Sequence, residues 1–199
     1  MNFSKKKLSG LIFAVIAAAL AYLFEGKILP EKTTPSSKTT TQQVEKGEVL
    51  AKVKKVSDGD TLIVQLPNGD DAKLRLLWID TPEKFNGNKL VKDAEKCHTS
   101  KRKMREMGQK ASAYAHRNFH VGDKVKLKIE GKGHYGRYLA LIWNKKGEFY
   151  NEEIIKDGYA CIYKKAKYPK YLKNLLAEAK SKRKGLWKDY YKIMECLCE

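Results

Sequence analysis

From residue 47 onward the chain alternates apolar and polar positions. Val49, Ala51 and Val53 occupy every second place, the period of a strand with one face buried. Residues 61–66 form a second such run, closed by the turn signal Pro67-Asn68-Gly69-Asp70. The pattern predicts a third strand over 72–79, with Leu74, Leu76 and Trp78 on one face. Val125, Leu127 and Ile129 alternate with lysines in a fourth, and 138–143 make a fifth, followed by Asn144-Lys145-Lys146-Gly147. Between the third and fourth strands the period lengthens and predicts a helix over about 104–119. A short helix fits 151–156, with Gly158 as its stop. A last one fits 168–184, where Leu172, Leu175, Leu176 and Ala179 share a face and Gly185 follows. Three strands, a helix, two strands and more helix predict an α+β fold, a five-stranded OB-type β-barrel with about three helices.

The N-terminal part follows other rules. Lys5, Lys6 and Lys7 precede an uncharged, mostly apolar run over 8–24, the order of a secretory signal. The run is also just long enough to stay in a bilayer as an anchor helix. Basic residues before it predict that the rest of the chain is exported, either secreted or held on the outer face of the cytoplasmic membrane. Residues 27–46 are rich in Thr, Ser, Lys and Pro, too poor in apolar surface to offset ordering entropy, and read as a flexible linker. The expected organisation is therefore a signal or anchor over 1–26, a linker over 27–46, a barrel domain over 47–190 and a C-terminal tail over 191–199. Export makes disulfides possible for Cys97, Cys161, Cys196 and Cys198. Their number is even, but spacing leaves the pairing open. No C-x-x-C pair with matching histidines suggests a structural zinc site.

Composition then narrows the function classes. Hydrophobic residues make up 42% of the 199, which excludes global disorder. The formal net charge is +18, and residues 1–43 contribute only six Lys and two Glu. A folded domain this basic attracts polyanions, of which nucleic acids and anionic membranes are the commonest.

Three clusters carry candidate chemistry. Asp58-Gly59-Asp60-Thr61 joins the first two strands and has the form of an ordinary Asp-Gly turn. Arg75-Leu76-Leu77-Trp78-Ile79-Asp80-Thr81-Pro82-Glu83 places a guanidinium in an apolar strand and two carboxylates where that strand ends. Asp80 and Thr81 also suit a helix cap or loop, and Pro82 holds Thr81 extended. Gly133-His134-Tyr135-Gly136-Arg137 is a tight turn before the fifth strand. Each has an everyday structural reading.

In this order and at this spacing, the clusters resemble the staphylococcal-nuclease-like, or thermonuclease, family. The resemblance extends through Gly108-Gln109-Lys110-Ala111-Ser112-Ala113, Asn151-Glu152, Gly158 and Gly185-Leu186-Trp187, covering residues 47–190. It implies a sequence-tolerant nuclease acting on DNA and RNA, single-stranded or accessible duplex, and leaving 3′-phosphate products. It implies a Ca²⁺ site made by the Asp60 and Asp80 side chains and the Thr81 carbonyl, a donor set of hard oxygens that suits this ion. Glu83 would position or deprotonate the attacking water. Arg75 and Arg137 would neutralise charge building on the phosphate, a task suited to a planar fork that stays charged. Tyr135 and His134 would support the nucleotide, His134 standing where the best-known member has a lysine. Tyr163 is a candidate base-stacking platform, with Tyr168 and Tyr171 as alternatives, because the family's paired tyrosines are not reproduced cleanly. The segment 84–107 is longer than in that member and contains the basic run Lys101-Arg102-Lys103 with Arg105. That run reads as a solvated helix face or as a contact for a nucleic-acid backbone. The competing function is a non-catalytic module binding nucleic acid or protein on the same barrel. A lipid-binding surface would explain the lysines but not the acidic trio. No protein partner is predicted.

Overall fold

The alternating apolar positions close on themselves. The computed structural model describes residues 47–199, so the expected signal or anchor and the linker lie outside the described residues. Strands β1 (Gly47–Val56), β2 (Thr61–Gln65), β3 (Asp71–Leu76), β5 (Lys124–Lys132) and β6 (Tyr138–Trp143) form a closed barrel in the order β1-β2-β3-β6-β5. Neighbours are antiparallel except β3 and β6, which close the barrel in parallel with Leu74 opposite Tyr138 and Leu76 opposite Ala140. The inward positions Val53, Leu62, Val64, Leu74, Leu76, Leu127, Ile129 and Ile142 are all buried. At about 1.5–3 kcal/mol for each large aliphatic side chain, this interior drives closure.

The third strand is shorter than its pattern predicts. The barrel run stops at Leu76, and Trp78 sits in the left-handed region at φ 69°. That residue turns the chain out of the barrel, and Ile79–Asp80 (β4) pairs instead with Cys161–Ile162 (β7). Trp78 thus leaves the face of Leu74 and Leu76, and its ring meets Phe149 edge-on at 6.0 Å. The buried Asn151 holds the bend. Its Oδ1 accepts from the Ile142 N–H at 2.9 Å, and its Nδ2 donates to the carbonyls of Leu77 at 2.9 Å and Ala140 at 3.4 Å.

Six helices stand among the described residues, rather than about three: α1 (Asn88–Lys96), α2 (Lys101–Asn118), α3 (Tyr150–Lys156), α4 (Leu172–Ser181), α5 (Leu186–Asp189) and α6 (Tyr191–Cys198). The Ser100 hydroxyl caps α2 by accepting from the Lys103 N–H at 3.2 Å. In α1, Leu90 and Ala94 are the buried pair, one turn apart in a charged segment, too little for periodicity to register. Residues 191–199 are not a loose tail. Met194 and Cys198 of α6 are buried beside Trp187, Leu186, Met107 and Ala179. Two disulfides, Cys97–Cys196 and Cys161–Cys198, tie α6 to the end of α1 and to β7. Among the described residues, no helix is long and apolar enough to cross a membrane.

Candidate active site

The bend after β3 and the turn before β2 bring separate parts of the chain to one cavity of about 970 Å³. Asp60, Arg75, Asp80, Thr81, Glu83, His134, Arg137 and Tyr163 all line it. The sheet register explains the first pairing, since Thr61 lies directly opposite Arg75 across β2 and β3. Gly59 explains the second. A Cβ there would stand 2.6 Å from the Thr81 methyl, so only glycine lets the Asp58–Thr61 turn approach the end of β4. Beneath it, the buried Tyr150 hydroxyl donates to the Gly59 carbonyl at 2.8 Å.

Asp60 is the organising group. Its Oδ2 accepts from the Thr81 N–H and hydroxyl, both at 3.0 Å, and lies 3.1 Å from an Arg75 terminal nitrogen. The second Arg75 terminal nitrogen reaches Asp80 Oδ1 at 3.2 Å, so the guanidinium fork spans both acids. Asp58 adjoins them, its Oδ1 accepting from the Asp60 N–H at 3.0 Å. Burial, reinforced by the Asp60 charge, pushes the Asp58 carboxyl up to about 7. Burial also raises Asp80, with Lys89 and Arg75 opposing and Asp60 adding. Three carboxylates this close repel one another, so the site favours cations.

Lys89 is one such cation, and sequence reading missed it. It stands on α1, in the segment that follows Glu83. Its Nζ lies 3.6 Å from Asp80 Oδ2 and 2.7 Å from Asp93 Oδ2. Burial alone would lower its pKa, but the two acids outweigh that and raise it. Its i,i+4 spacing to Asp93 was the only available signal, and that spacing is common on solvated helices.

Glu83 enters the cavity from the segment after Pro82, and its Oε1 accepts from the Phe85 N–H at 2.9 Å. The segment lies on α2. A Cβ at Gly108 would stand 2.5 Å from the Glu83 carbonyl carbon and 2.6 Å from the Lys84 nitrogen. One turn along, Ser112 Oγ meets Lys84 Nζ at 2.8 Å. Gly108 and Ser112 thus form a seat on one face of α2 that fixes the Glu83 backbone.

Arg137 follows a single 3₁₀ turn, His134–Gly136, and its Nε donates to the His134 carbonyl at 3.4 Å. Tyr135 is separated from the other predicted residues. It is 94% exposed, does not line the cavity, and keeps its ring 5.9 Å from the Arg137 guanidinium. Of the three tyrosines considered for stacking, Tyr163 lines the cavity, 5.6 Å from the Arg75 guanidinium. Tyr168 packs on the barrel core, and the Tyr171 hydroxyl bonds Glu152.

The oxygens of Asp60, Asp80 and the Thr81 carbonyl fit a hard divalent cation chemically. Among the described residues, no three His, Cys, Asp or Glu side chains are grouped to hold a metal. A bound ion here would therefore draw on the backbone carbonyl as well.

Comparison with known proteins supplies the family. Residues 73–189 match the family model described as staphylococcal nuclease homologue. That span contains every predicted site residue except Asp60. The chain is 30% identical over 177 residues to the endonuclease YhcR of Bacillus subtilis, an alignment covering 85% of this chain but 13% of that much longer protein. It is 35% identical over 148 residues to an uncharacterised protein of Methanocaldococcus jannaschii, covering 68% and 70% of the two chains. It is 30% identical over 140 residues to the thermonuclease of Staphylococcus intermedius, covering 68% and 74%. On the matched span and these identities, the chain belongs to the staphylococcal nuclease homologue family.

Proposed function

We propose that this chain is an exported nuclease that hydrolyses phosphodiester bonds of DNA and RNA with little regard to sequence, using Ca²⁺ and leaving 3′-phosphate ends. The observation that carries the reading is the convergence of Asp60, Asp80 and Glu83 with Arg75 and Arg137 on one cavity. A module that only bound nucleic acid would need the arginines but not the three acids.

Asp60, Asp80 and the Thr81 carbonyl would hold the cation, which supplies charge neutralisation for the phosphate oxygens. Glu83 orients the attacking water and accepts its proton as the new P–O bond forms. Its carbonyl and the following amide rest on Gly108, which limits the freedom of that carboxylate. Arg75, turned from Asp60 and Asp80 towards the phosphate, and Arg137 grip the non-bridging oxygens as charge develops; the 5′ P–O bond breaks and its oxygen takes a proton from water to leave as a 5′-hydroxyl. Tyr163 offers a face to a base of any identity. His134 borders the phosphate position from the 3₁₀ turn, and Tyr135, exposed on the same turn, would reach only a nucleotide that extends beyond the cavity. Export is supported by the charged and apolar N-terminal segments and by the pairing of all four cysteines.

Purified protein incubated with DNA and with RNA, in Ca²⁺ or in chelator, tests the reading. Cation-dependent degradation lost in Glu83→Gln is the expected result. Retardation without cleavage would assign the barrel to binding alone.

A further inference from the structure

A second groove lies at the other end of α1, about 690 Å³ in volume and lined by Lys96, Lys103, Arg183, Lys188, Lys192 and Tyr191. Its one carboxylate, Asp189, lies 3.6 Å from Lys110 on α2. Among the described residues, Lys103, Arg183, Lys188 and Lys192 have no carboxylate within ion-pair distance. The Arg183 guanidinium lies 4.1 Å from the centre of the Tyr191 ring, a flat platform with a fixed positive charge.

The backbone at the rim is unusual. Among the described residues, four non-glycine residues have positive φ: Trp78 at the candidate active site, Tyr135 on the exposed turn before Arg137, and His98 and Arg183 at this groove. His98 and Arg183 each follow a helix end closed by the same pair of backbone bonds. After α1, Thr99 N–H donates to Ala94 at 2.9 Å and His98 N–H to Glu95 at 3.1 Å. After α4, Lys184 N–H donates to Ala179 at 3.0 Å and Arg183 N–H to Lys180 at 3.2 Å. Glycine is the usual residue at such a position; here both side chains face the groove. The Cys97–Cys196 disulfide joins its two walls.

We infer that this groove is an exosite for the phosphate backbone of the same nucleic-acid strand that the catalytic cavity engages. The inference rests on the proposed nuclease function. Helix α1 links the two sites, with Lys89 in the catalytic cavity and Lys96 in the groove. At 1.5 Å per residue these positions are separated by about 10 Å along the helix. Single strands commonly occupy about 4–16 nucleotides on one barrel of this type, enough to reach past one cavity. Paired cationic and aromatic groups in a concave groove suit a strand, whereas a membrane surface would ask for a flat basic face. The basic run beginning at Lys101 thereby gains a role through Lys103, at the start of α2.

The test is binding of a 30-nucleotide single strand in chelator, where no cleavage intervenes, across a salt series. The variant Arg183→Gly/Lys188→Gln/Lys192→Gln removes three charges and gives Arg183 the residue its backbone favours. The slope of log affinity against log salt should become shallower by about 2, at about 0.7 per lost phosphate contact. A control removing Lys54, Lys73 and Lys146, which line neither cavity, should leave the slope near wild type. Tyr191→Ala should weaken binding without changing the slope. With Ca²⁺, the triple variant should cleave a dinucleotide at the wild-type rate but show a raised KM for long single strands. Equal slopes for the two triple variants would overturn the exosite. So would loss of binding to phosphatidylglycerol vesicles with an intact DNA slope, which would assign the groove to membrane. A wild-type protein that binds DNA with the steep slope yet cleaves nothing would sink the nuclease reading alone.

Discussion

Gly108→Ala should disable the site while sparing the fold. The added Cβ would lie 2.5 Å from the Glu83 carbonyl carbon and 2.6 Å from its oxygen, where ordinary contact begins at 3.4 Å. Both atoms are backbone, so no rotamer change relieves the clash. The Glu83 segment must retreat by about 1 Å, a misplacement that can cost about 100-fold in rate. Stability should change far less. Alanine gains about 1 kcal/mol over glycine within a helix, and overpacking costs about 1–3 kcal/mol. The net loss is at most about 2 kcal/mol. The assay is steady-state hydrolysis of DNA with Ca²⁺, alongside a thermal melt. A fall in kcat near 100-fold with a melting shift of a few degrees is expected. Activity within threefold of wild type, in a protein that melts normally, would refute the idea that α2 sets the Glu83 position.

Four further variants follow from the structure. Asn151→Leu leaves the Ile142 N–H and the Leu77 and Ala140 carbonyls without their side-chain partner; a loss of about 3–5 kcal/mol is expected in urea unfolding, and a loss below 1 kcal/mol would contradict the role given to that side chain. Asp58, raised to about 7 from 3.8 by burial and Asp60, binds its proton more tightly when folded, so its contribution favours folding at low pH and is lost as pH rises from about 4 to 7. Asp58→Asn should therefore stabilise the metal-free protein at pH 8 relative to pH 4, by about 2–4 kcal/mol; equal effects at both pH values would count against it. Cys97→Ser/Cys196→Ser opens a loop spanning 99 residues, worth about 4–5 kcal/mol by chain entropy, and Cys161→Ser/Cys198→Ser opens one spanning 37 residues, worth about 4 kcal/mol; melting temperatures within a degree of wild type would show that α6 does not need its staples.

The legible parts of the fold are those with a sustained alternation. Val49, Ala51 and Val53, or Val125, Leu127 and Ile129, alternate over enough residues for the barrel faces to stand out. Trp78 continues that alternation but lies in the turn between β3 and β4, because its left-handed backbone redirects the chain and Asn151, 73 positions later, completes the bend. No local pattern carries that pairing. Helix α1 buries only Leu90 and Ala94 in a charged segment, and α6 is held by disulfides whose partners lie 99 and 37 positions away. At the site, Asp60, Arg75, Asp80 and Glu83 were read as one cluster from linked motifs. Lys89 had no motif to mark it. Tyr135 carries the motif, yet its placement on an exposed 3₁₀ turn depends on backbone angles that composition does not encode.

The central claim is that a divalent ion and one phosphate meet between the acids and the two arginines. Crystals grown with Ca²⁺ and a non-hydrolysable phosphorothioate oligonucleotide test it directly. The expected result is one cation about 2.3–2.6 Å from oxygens of Asp60, Asp80 and the Thr81 carbonyl, with the adjacent phosphate bound by Arg75 and Arg137 and a water on Glu83. A cation bound away from Asp60 and Asp80, or a phosphate that leaves Arg75 closed on its two acids, would contradict it.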